Sequence, residues 1–75
     1  MPKTLKETRM EWEEGLEIQD EHTLDGKTIY VLLKTSGEEN YHLHKYFLSS
    51  NLNWNVDVKC QNVSLLTCFK KIIRL

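Results

Sequence analysis

Two histidines and two cysteines are the residues of this chain whose types and spacing could do chemistry. His42 and His44 stand one residue apart in YHLHKYF, residues 41–47, and Cys60 and Cys68 follow toward the C-terminus. Imidazole nitrogen and thiolate sulfur are ligands that zinc prefers in proteins, so the four residues have the composition of a zinc site. A histidine beside a carboxylate is also the geometry of an oriented general base. Which of these arrangements can form depends on the elements that carry the residues.

The strand pattern around these residues argues against a shared site. Residues 54–60 alternate strictly between apolar and polar side chains, which predicts a strand whose apolar side, including Cys60, faces the core. Residues 41–48 predict a neighbouring strand, and pairing the apolar sides of the two turns both histidines toward the outer face, which is exposed to solvent unless the N-terminal helix covers it. The same register sets His44 opposite Asp57. Because Cys60 and the histidines would lie on opposite faces of the sheet, we expect no metal site and no cofactor.

The remaining elements are predicted from local signals. A short helix is expected at 4–14, because TLKE at its start fits a capping box. An Asp-Gly pair suits a type I′ turn between strands at 16–24 and 27–34. Apolar residues at i, i+4 and i+7 predict an amphipathic helix over about 64–74, with a strand at 63–69 as the alternative.

The whole chain, residues 1–75, is therefore expected to form a single α+β domain. We predict a small antiparallel sheet of about four strands, a C-terminal amphipathic helix packed on one of its faces, and a short N-terminal helix. A chain of 75 residues buries only about 60% of the surface that its unfolded form exposes. Its free energy of unfolding is therefore expected to be small, about 5 kcal/mol or less.

The expected compartment is the cytoplasm, or the cytoplasm of a host. No apolar run reaches the length of a membrane span, and the N-terminal residues lack the apolar region of a secretory signal. Cys60 and Cys68 are too few for a disulfide scaffold, so we expect two reduced and buried thiols.

Charge is unevenly distributed, although the net charge is −1. Residues 1–26 carry eight acids and three bases, whereas residues 58–75 carry four bases and no acid. Six of the acids lie in EWEEGLEIQDE, residues 11–21, around apolar side chains that include Trp12. This pattern predicts an acidic docking surface that would engage a basic groove on another protein.

Binding, without catalysis, is the function that this pattern favours. We predict a small non-enzymatic regulator or inhibitor of another protein. Phage-encoded antagonists of host nucleic-acid-handling proteins are an analogous setting by size and charge. The predicted partner-binding residues combine the acidic run with an exposed sheet face: Glu11, Trp12, Glu13, Glu14, Glu17, Tyr30, His42, His44 and Tyr46.

Three alternatives remain open on the same residues. The exposed sheet aromatics could stack unpaired bases while basic residues neutralise phosphates, as in single-stranded nucleic-acid binders. The basic residues of that alternative are Lys59, Lys70, Lys71 and Arg74, although an isoelectric point near 6.3 is low for such a binder. A small ribonuclease could use His44 with Asp57. An exposed edge strand could also form a homodimer by extending the sheet.

Overall fold

The computed structural model describes residues 2–73 of the chain and the side chains of residues 2–70. In chain order the elements are α1 (Leu5–Trp12), β1 (Leu16–Thr23), β2 (Thr28–Thr35), β3 (Tyr41–Leu48), β4 (Trp54–Val63) and α2 (Leu65–Ile73). The strands form one antiparallel sheet in the order β1-β2-β3-β4. The predicted α+β fold is confirmed, and α2 is a helix where a strand was the alternative.

The start of α1 is fixed by the capping box that the sequence predicted. The Glu7 amide donates to Thr4 Oγ1 at 3.1 Å, and the Thr4 amide donates to Glu7 Oε1 at 3.2 Å. These bonds satisfy backbone donors that have no partner inside the helix. The chain leaves α1 through Gly15, whose φ of +78° suits glycine because it lacks a Cβ. The helix is therefore held at both ends by local chemistry.

The sheet carries a helix on each side, which makes its two faces distinct. The first face is the one that α1 covers, and Leu5 of α1 packs there. Its buried apolar residues are Val31, Leu33 and Tyr46. The second face carries α2, and the buried residues there are Leu43, Cys60 and Cys68. The core is thus divided into two layers, one on each side of the sheet.

The β1–β2 hairpin is confirmed, but its turn and its alternation differ from the prediction. The turn is not type I′, because within it only Gly26 has a positive φ. A bulge at Gln19 then shifts the pairing of β1, so that Ile18 pairs with Leu33 while Asp20 pairs with Leu32. The bulge moves Asp20 to the second face. This explains why β1 does not alternate cleanly in sequence.

The register of β3 against β4 differs by one residue from the predicted one. His44 pairs with Val58 and Tyr46 with Val56, where the sequence predicted that His44 would lie opposite Asp57. A one-residue shift exchanges the faces of a strand, so the histidine side of β3 lies with the apolar side of β4 under α1. The predicted solvent exposure of this face is wrong. The physical reason is that α1 supplies the second layer that buries it.

A second bulge, in β4, brings the two cysteines together. His44 pairs with Val58 and Leu43 with Cys60, which leaves Lys59 as the extra residue. Cys60 therefore moves to the second face, where it forms a disulfide with Cys68 of α2 across a Cα–Cα distance of 6.1 Å. The prediction of two reduced thiols is wrong: it rested on the small number of cysteines, and the bulge brings these two within bonding distance. The cysteines and histidines do lie on opposite faces, as predicted.

Candidate functional site

His42 is buried, and both of its ring nitrogens have partners. The Asn62 amide donates to Nδ1 at 3.3 Å, so the neutral ring carries its proton on Nε2 and donates it to Thr35 Oγ1 at 2.9 Å. Asn62 adopts a φ of +57°, a conformation that asparagine tolerates better than most residues. Burial lowers the pKa of His42. The side chain of His42, which lies on β3, is therefore hydrogen-bonded to both neighbouring strands, β2 and β4.

His44 and Tyr46 lie beneath α1, with 3% and 0% of their surface exposed. His44 Nδ1 is 3.2 Å from Tyr46 Oη, and the Trp12 ring meets the imidazole edge-on with a centroid distance of 6.2 Å. Burial lowers the pKa of His44, and the neighbouring His42 lowers it further, against an opposing effect of Glu13. Burial, reinforced by the nearby Glu13 carboxylate, raises the pKa of Tyr46. Both side chains are neutral at neutral pH.

Arg9 ties α1 to the sheet. Its Nε donates to Glu13 Oε2 at 2.8 Å, its Nη2 donates to Glu13 Oε1 at 3.3 Å, and the same Nη2 forms an ion pair with Glu21 of β1. The guanidinium carbon also lies 5.8 Å from the centroid of the Tyr46 ring, within the range of a cation–π contact. The Glu13 carboxylate is thus paired with Arg9 inside the protein, and it is largely buried.

The histidine and carboxylate that a ribonuclease would need are not together. His44 lies on the first face opposite Val58, whereas Asp57 lies on the second face, opposite Lys45 and 2.7 Å from Lys59. Within the part of the chain that the structure describes, no three histidine, cysteine, aspartate or glutamate side chains are grouped as metal ligands would be. The predicted pairing of His44 with Asp57 is wrong, because the register places them on opposite sides.

The accessible carboxylates lie on the outer surface of α1 and β1. Glu11, Glu14 and Glu17 are all exposed. Glu11 pairs with Lys3 at 2.5 Å, and Glu17 lies 3.7 Å from Lys34. Glu14 has no cationic partner among the residues that the structure describes. Exposed pairs of this kind contribute little to stability, about 1 kcal/mol or less, so these acids remain available to a partner.

An apolar groove between α1 and β1 runs through this acidic surface. Its lining combines the apolar residues Leu5, Met10 and Ile18 with charged ones: Lys6, Arg9, Glu13 and Glu14. Met10 is 67% exposed and Ile18 is 51% exposed. Every residue of the edge strand β1 after its first is exposed as well. An open apolar strip bordered by carboxylates suits a partner that offers apolar and basic side chains.

The structure does not bring all the predicted site residues together. Trp12 is partly exposed at the end of α1, near the acidic surface, whereas Tyr30 lies on the second face and not beside the histidines. Lys59 also lies near the second face, and Lys70 is exposed on α2. The side chain of Lys71 and all of Arg74 lie outside the described residues.

Met10 and Ile18 were not among the predicted site residues. A signal for Met10 was present, because it falls off the helical face that Leu5, Arg9 and Trp12 share. Ile18 gave no such signal. Its strand alternation predicts a buried position, and its exposure results from lying on an edge strand that α1 does not fully cover.

Comparisons with known protein families, with curated proteins and with solved structures find no match to this chain. Neither of the two described helices is long and apolar enough to cross a membrane. The chemistry of the surface is therefore the basis for assigning a function.

Acidification from pH 7 to pH 5.5 is expected to lower the free energy of unfolding, by at most about 1.4 kcal/mol per histidine for each unit by which folding lowers its pKa. Burial lowers the pKa of His42 and of His44 below the ordinary value of 6.5, so the unfolded chain binds protons that the folded chain does not. This contribution to stability is fully present above about pH 6.5 and is lost as the pH falls. Urea denaturation followed by tryptophan fluorescence measures it.

His22 provides the control for this pH dependence, because it is exposed on β1. The variant His22→Gln should keep the whole effect. Measurements above about pH 5 avoid protonation of most carboxylates, whose ordinary pKa values lie near 4. A free energy of unfolding that stays constant between pH 7 and pH 5.5 would contradict the burial of the two other histidines.

Proposed function

We propose that this protein is a small non-enzymatic regulator or inhibitor that binds another protein through the outer surface of α1 and β1. The observation that supports this proposal is the exposed apolar pair Met10 and Ile18, which lines the groove between α1 and β1 together with Glu14. Monomeric proteins rarely leave apolar side chains clustered in a groove unless something binds there. The carboxylates select a basic partner, such as the groove of a nucleic-acid-handling protein.

Different residues of this surface would contribute affinity and selectivity. Burial of Met10 and Ile18 would supply affinity, because removing apolar area from water is favourable and the flexible methionine adapts to its partner. Glu14 and Glu17 would accelerate association and reject acidic competitors. Arg9 holds α1 on the sheet, so little conformational entropy is lost on binding.

The buried residues predicted as partner contacts have a supporting role in this proposal. His42, His44 and Tyr46 lie beneath α1 or within the sheet, out of reach of a partner. They position the helix that carries the acidic residues. Trp12 stays in the proposed surface because part of its ring is exposed.

Single-stranded nucleic-acid binding is the second candidate, and one observation on the second face favours it. Lys45 Nζ lies 6.0 Å from the centroid of the Tyr30 ring and 5.8 Å from that of the Phe47 ring. A lysine between two partly exposed aromatic rings could contact a phosphate while bases stack. However, Asp57 is the cross-strand neighbour of Lys45 and pairs with Lys59, which offsets the positive charge.

The cellular location remains a proposal. The cytoplasm, or the cytoplasm of a host, is the location that the sequence predicts. The Cys60–Cys68 disulfide argues against it, because cytosolic reductants keep most thiols reduced.

Reversing the charge of Glu14 and Glu17 is expected to abolish capture of the partner. The test is quantitative affinity purification from the source cell with wild type and with Glu14→Lys/Glu17→Lys. The control Glu38→Lys/Glu39→Lys changes the net charge equally at two exposed residues of the β2–β3 turn. A protein captured by wild type and by the control, but lost with the first variant, supports the proposal. With that protein purified, the dissociation constant should rise at least about tenfold, or 1.4 kcal/mol.

Two outcomes would count against the proposed function. Equal loss of capture in both double variants would mean that net charge alone is responsible. Fluorescence anisotropy of labelled single-stranded RNA provides the other test. The second candidate would be favoured if the protein binds this RNA tightly at physiological salt and two further conditions hold. Lys45→Glu must remove the binding, and Glu14→Lys/Glu17→Lys must not weaken it.

A further inference from the structure

The second face of the sheet is only partly covered by α2. The helix packs on β3 and β4, and it leaves a groove of about 490 Å³ beside it. The groove is lined by Leu24, Tyr30, Leu32 and Leu43, with Asp20, Glu21 and His22 along one side. Most of its surface is apolar, and Asp20 places a carboxylate at its margin. Such a groove fits an apolar segment that carries positive charge.

The outer side of α2 is itself an unpartnered apolar surface. Leu65, Leu66 and Phe69 are 46%, 64% and 53% exposed, although they are three large apolar side chains within one and a half turns. The exposed Lys70 follows them directly, and Lys71 is next in the sequence. Cys68 is the residue of α2 that is buried against the sheet. The helix therefore shows both apolar and positively charged residues to a neighbour.

We infer that the occupant of the groove is α2 of a second copy of this chain. The apolar residues of the helix match the apolar lining, and Lys70 matches the acidic side formed by Asp20. Because each copy carries both the helix and the groove, a two-fold axis satisfies both contacts at once. The closed dimer would sandwich two α2 helices between two sheets. Each second face would then be covered partly by its own helix and partly by its partner's.

This dimer differs from one formed by extending the sheet. The edge strand β1 is interrupted by the bulge at Gln19 and carries Glu17 and Asp20, and both features disfavour pairing with another strand. The α2 contact leaves the groove of Met10 and Ile18 free, because that groove lies between α1 and β1. The inference is therefore independent of the proposed function.

Sedimentation equilibrium of the full chain, from low micromolar to near-millimolar concentration, tests the dimer. Wild type should be dimeric, and Phe69→Glu should raise the dissociation constant at least about tenfold. Asp20→Lys should also weaken the dimer. The matched control is Leu52→Glu, at a leucine that is 62% exposed on the β3–β4 turn, and it should leave the dimer unchanged. Circular dichroism confirms that each variant is folded.

Isotope-filtered nuclear Overhauser spectra of a mixture of labelled and unlabelled chains locate the contact. Intermolecular signals are expected between the Phe69 ring of one copy and the Leu24 or Leu32 methyl groups of the other. A wild type that is monomeric throughout the concentration range overturns the inference. So does a dimer that Phe69→Glu and Leu52→Glu affect equally, or one whose intermolecular signals come only from β1.

Discussion

Replacing His44 by aspartate is expected to lower the free energy of unfolding by about 3–5 kcal/mol, because it leaves a charge buried without a partner. His44 lies under α1, where its neighbours include Trp12 and Tyr46. The Glu13 carboxylate acts on this position and would repel a second carboxylate. Since a domain of this size has a stability of about 5 kcal/mol, the variant would be partly or wholly unfolded without denaturant.

The same substitution at His22 is the matched control. His22 is also in a strand of the sheet, but it is exposed, so His22→Asp introduces the same low strand preference without burying a charge. Urea denaturation monitored by tryptophan fluorescence should give a small change for His22→Asp and a large one for His44→Asp. The decrease in the free energy of unfolding caused by His44→Asp should become smaller as the pH falls, because the introduced carboxyl group can take up a proton. Equal effects at the two positions would mean that the histidine face is exposed.

Reducing the Cys60–Cys68 disulfide is expected to cost about 2–3 kcal/mol, as chain entropy predicts for a short closed loop. The bond joins α2 to β4, and Cys68 is buried in the second layer of the core. Without the disulfide α2 is no longer cross-linked to β4. We therefore expect hydrogen exchange of the α2 amides to accelerate more than that of the sheet amides. Urea denaturation of wild type with and without a thiol-free phosphine reductant measures the total effect.

Cys60→Ala/Cys68→Ala is the control for the reductant. Its denaturation midpoint should not respond to reductant, whereas that of wild type should fall. Thiol titration of the native, unreduced protein should find no reactive thiol in wild type. Two titratable thiols, together with a midpoint that ignores reductant, would restore the expectation of reduced cysteines.

Local sequence signals were sufficient for the elements. The capping box at Thr4 and Glu7 predicts where α1 begins, and both reciprocal hydrogen bonds form. The change from strand alternation to helical spacing after residue 63 predicts α2. These signals act between residues close in the chain, so they do not depend on the rest of the fold. The number of strands and the antiparallel order follow from the same information.

Register and face could not be read from the sequence, because they depend on bulges, and those at Gln19 and Lys59 decide the faces of Asp20 and Cys60. The extra residues Gln19 and Lys59 are polar residues in a strand and have no distinguishing type. Each reverses which side the following residues occupy, and Cys60 changes face as a result. The sequence correctly placed His42 and His44 on one side of β3 and the residues that alternate with them on the other side. Only the position of α1 decides which of the two sides is buried.

The candidate site was predicted in part. The acidic run correctly indicated where exposed carboxylates accumulate, and Glu14 and Glu17 are its accessible members. Glu13 belongs to the same run but is held by Arg9, a pairing set by helical spacing and by the sheet beneath. The apolar strip that accompanies the acids was missed, because exposure on an edge strand is a tertiary property.

Hydrogen exchange of the free and the partner-bound protein tests the proposed binding surface most directly. Backbone amides of α1 and β1 should exchange more slowly in the complex, with the largest change around Met10 and Ile18. Amides in the centre of β3, already buried, and those of α2 should change little. Slower exchange confined to α2 and the second face, with α1 and β1 unchanged, would contradict binding through the acidic surface.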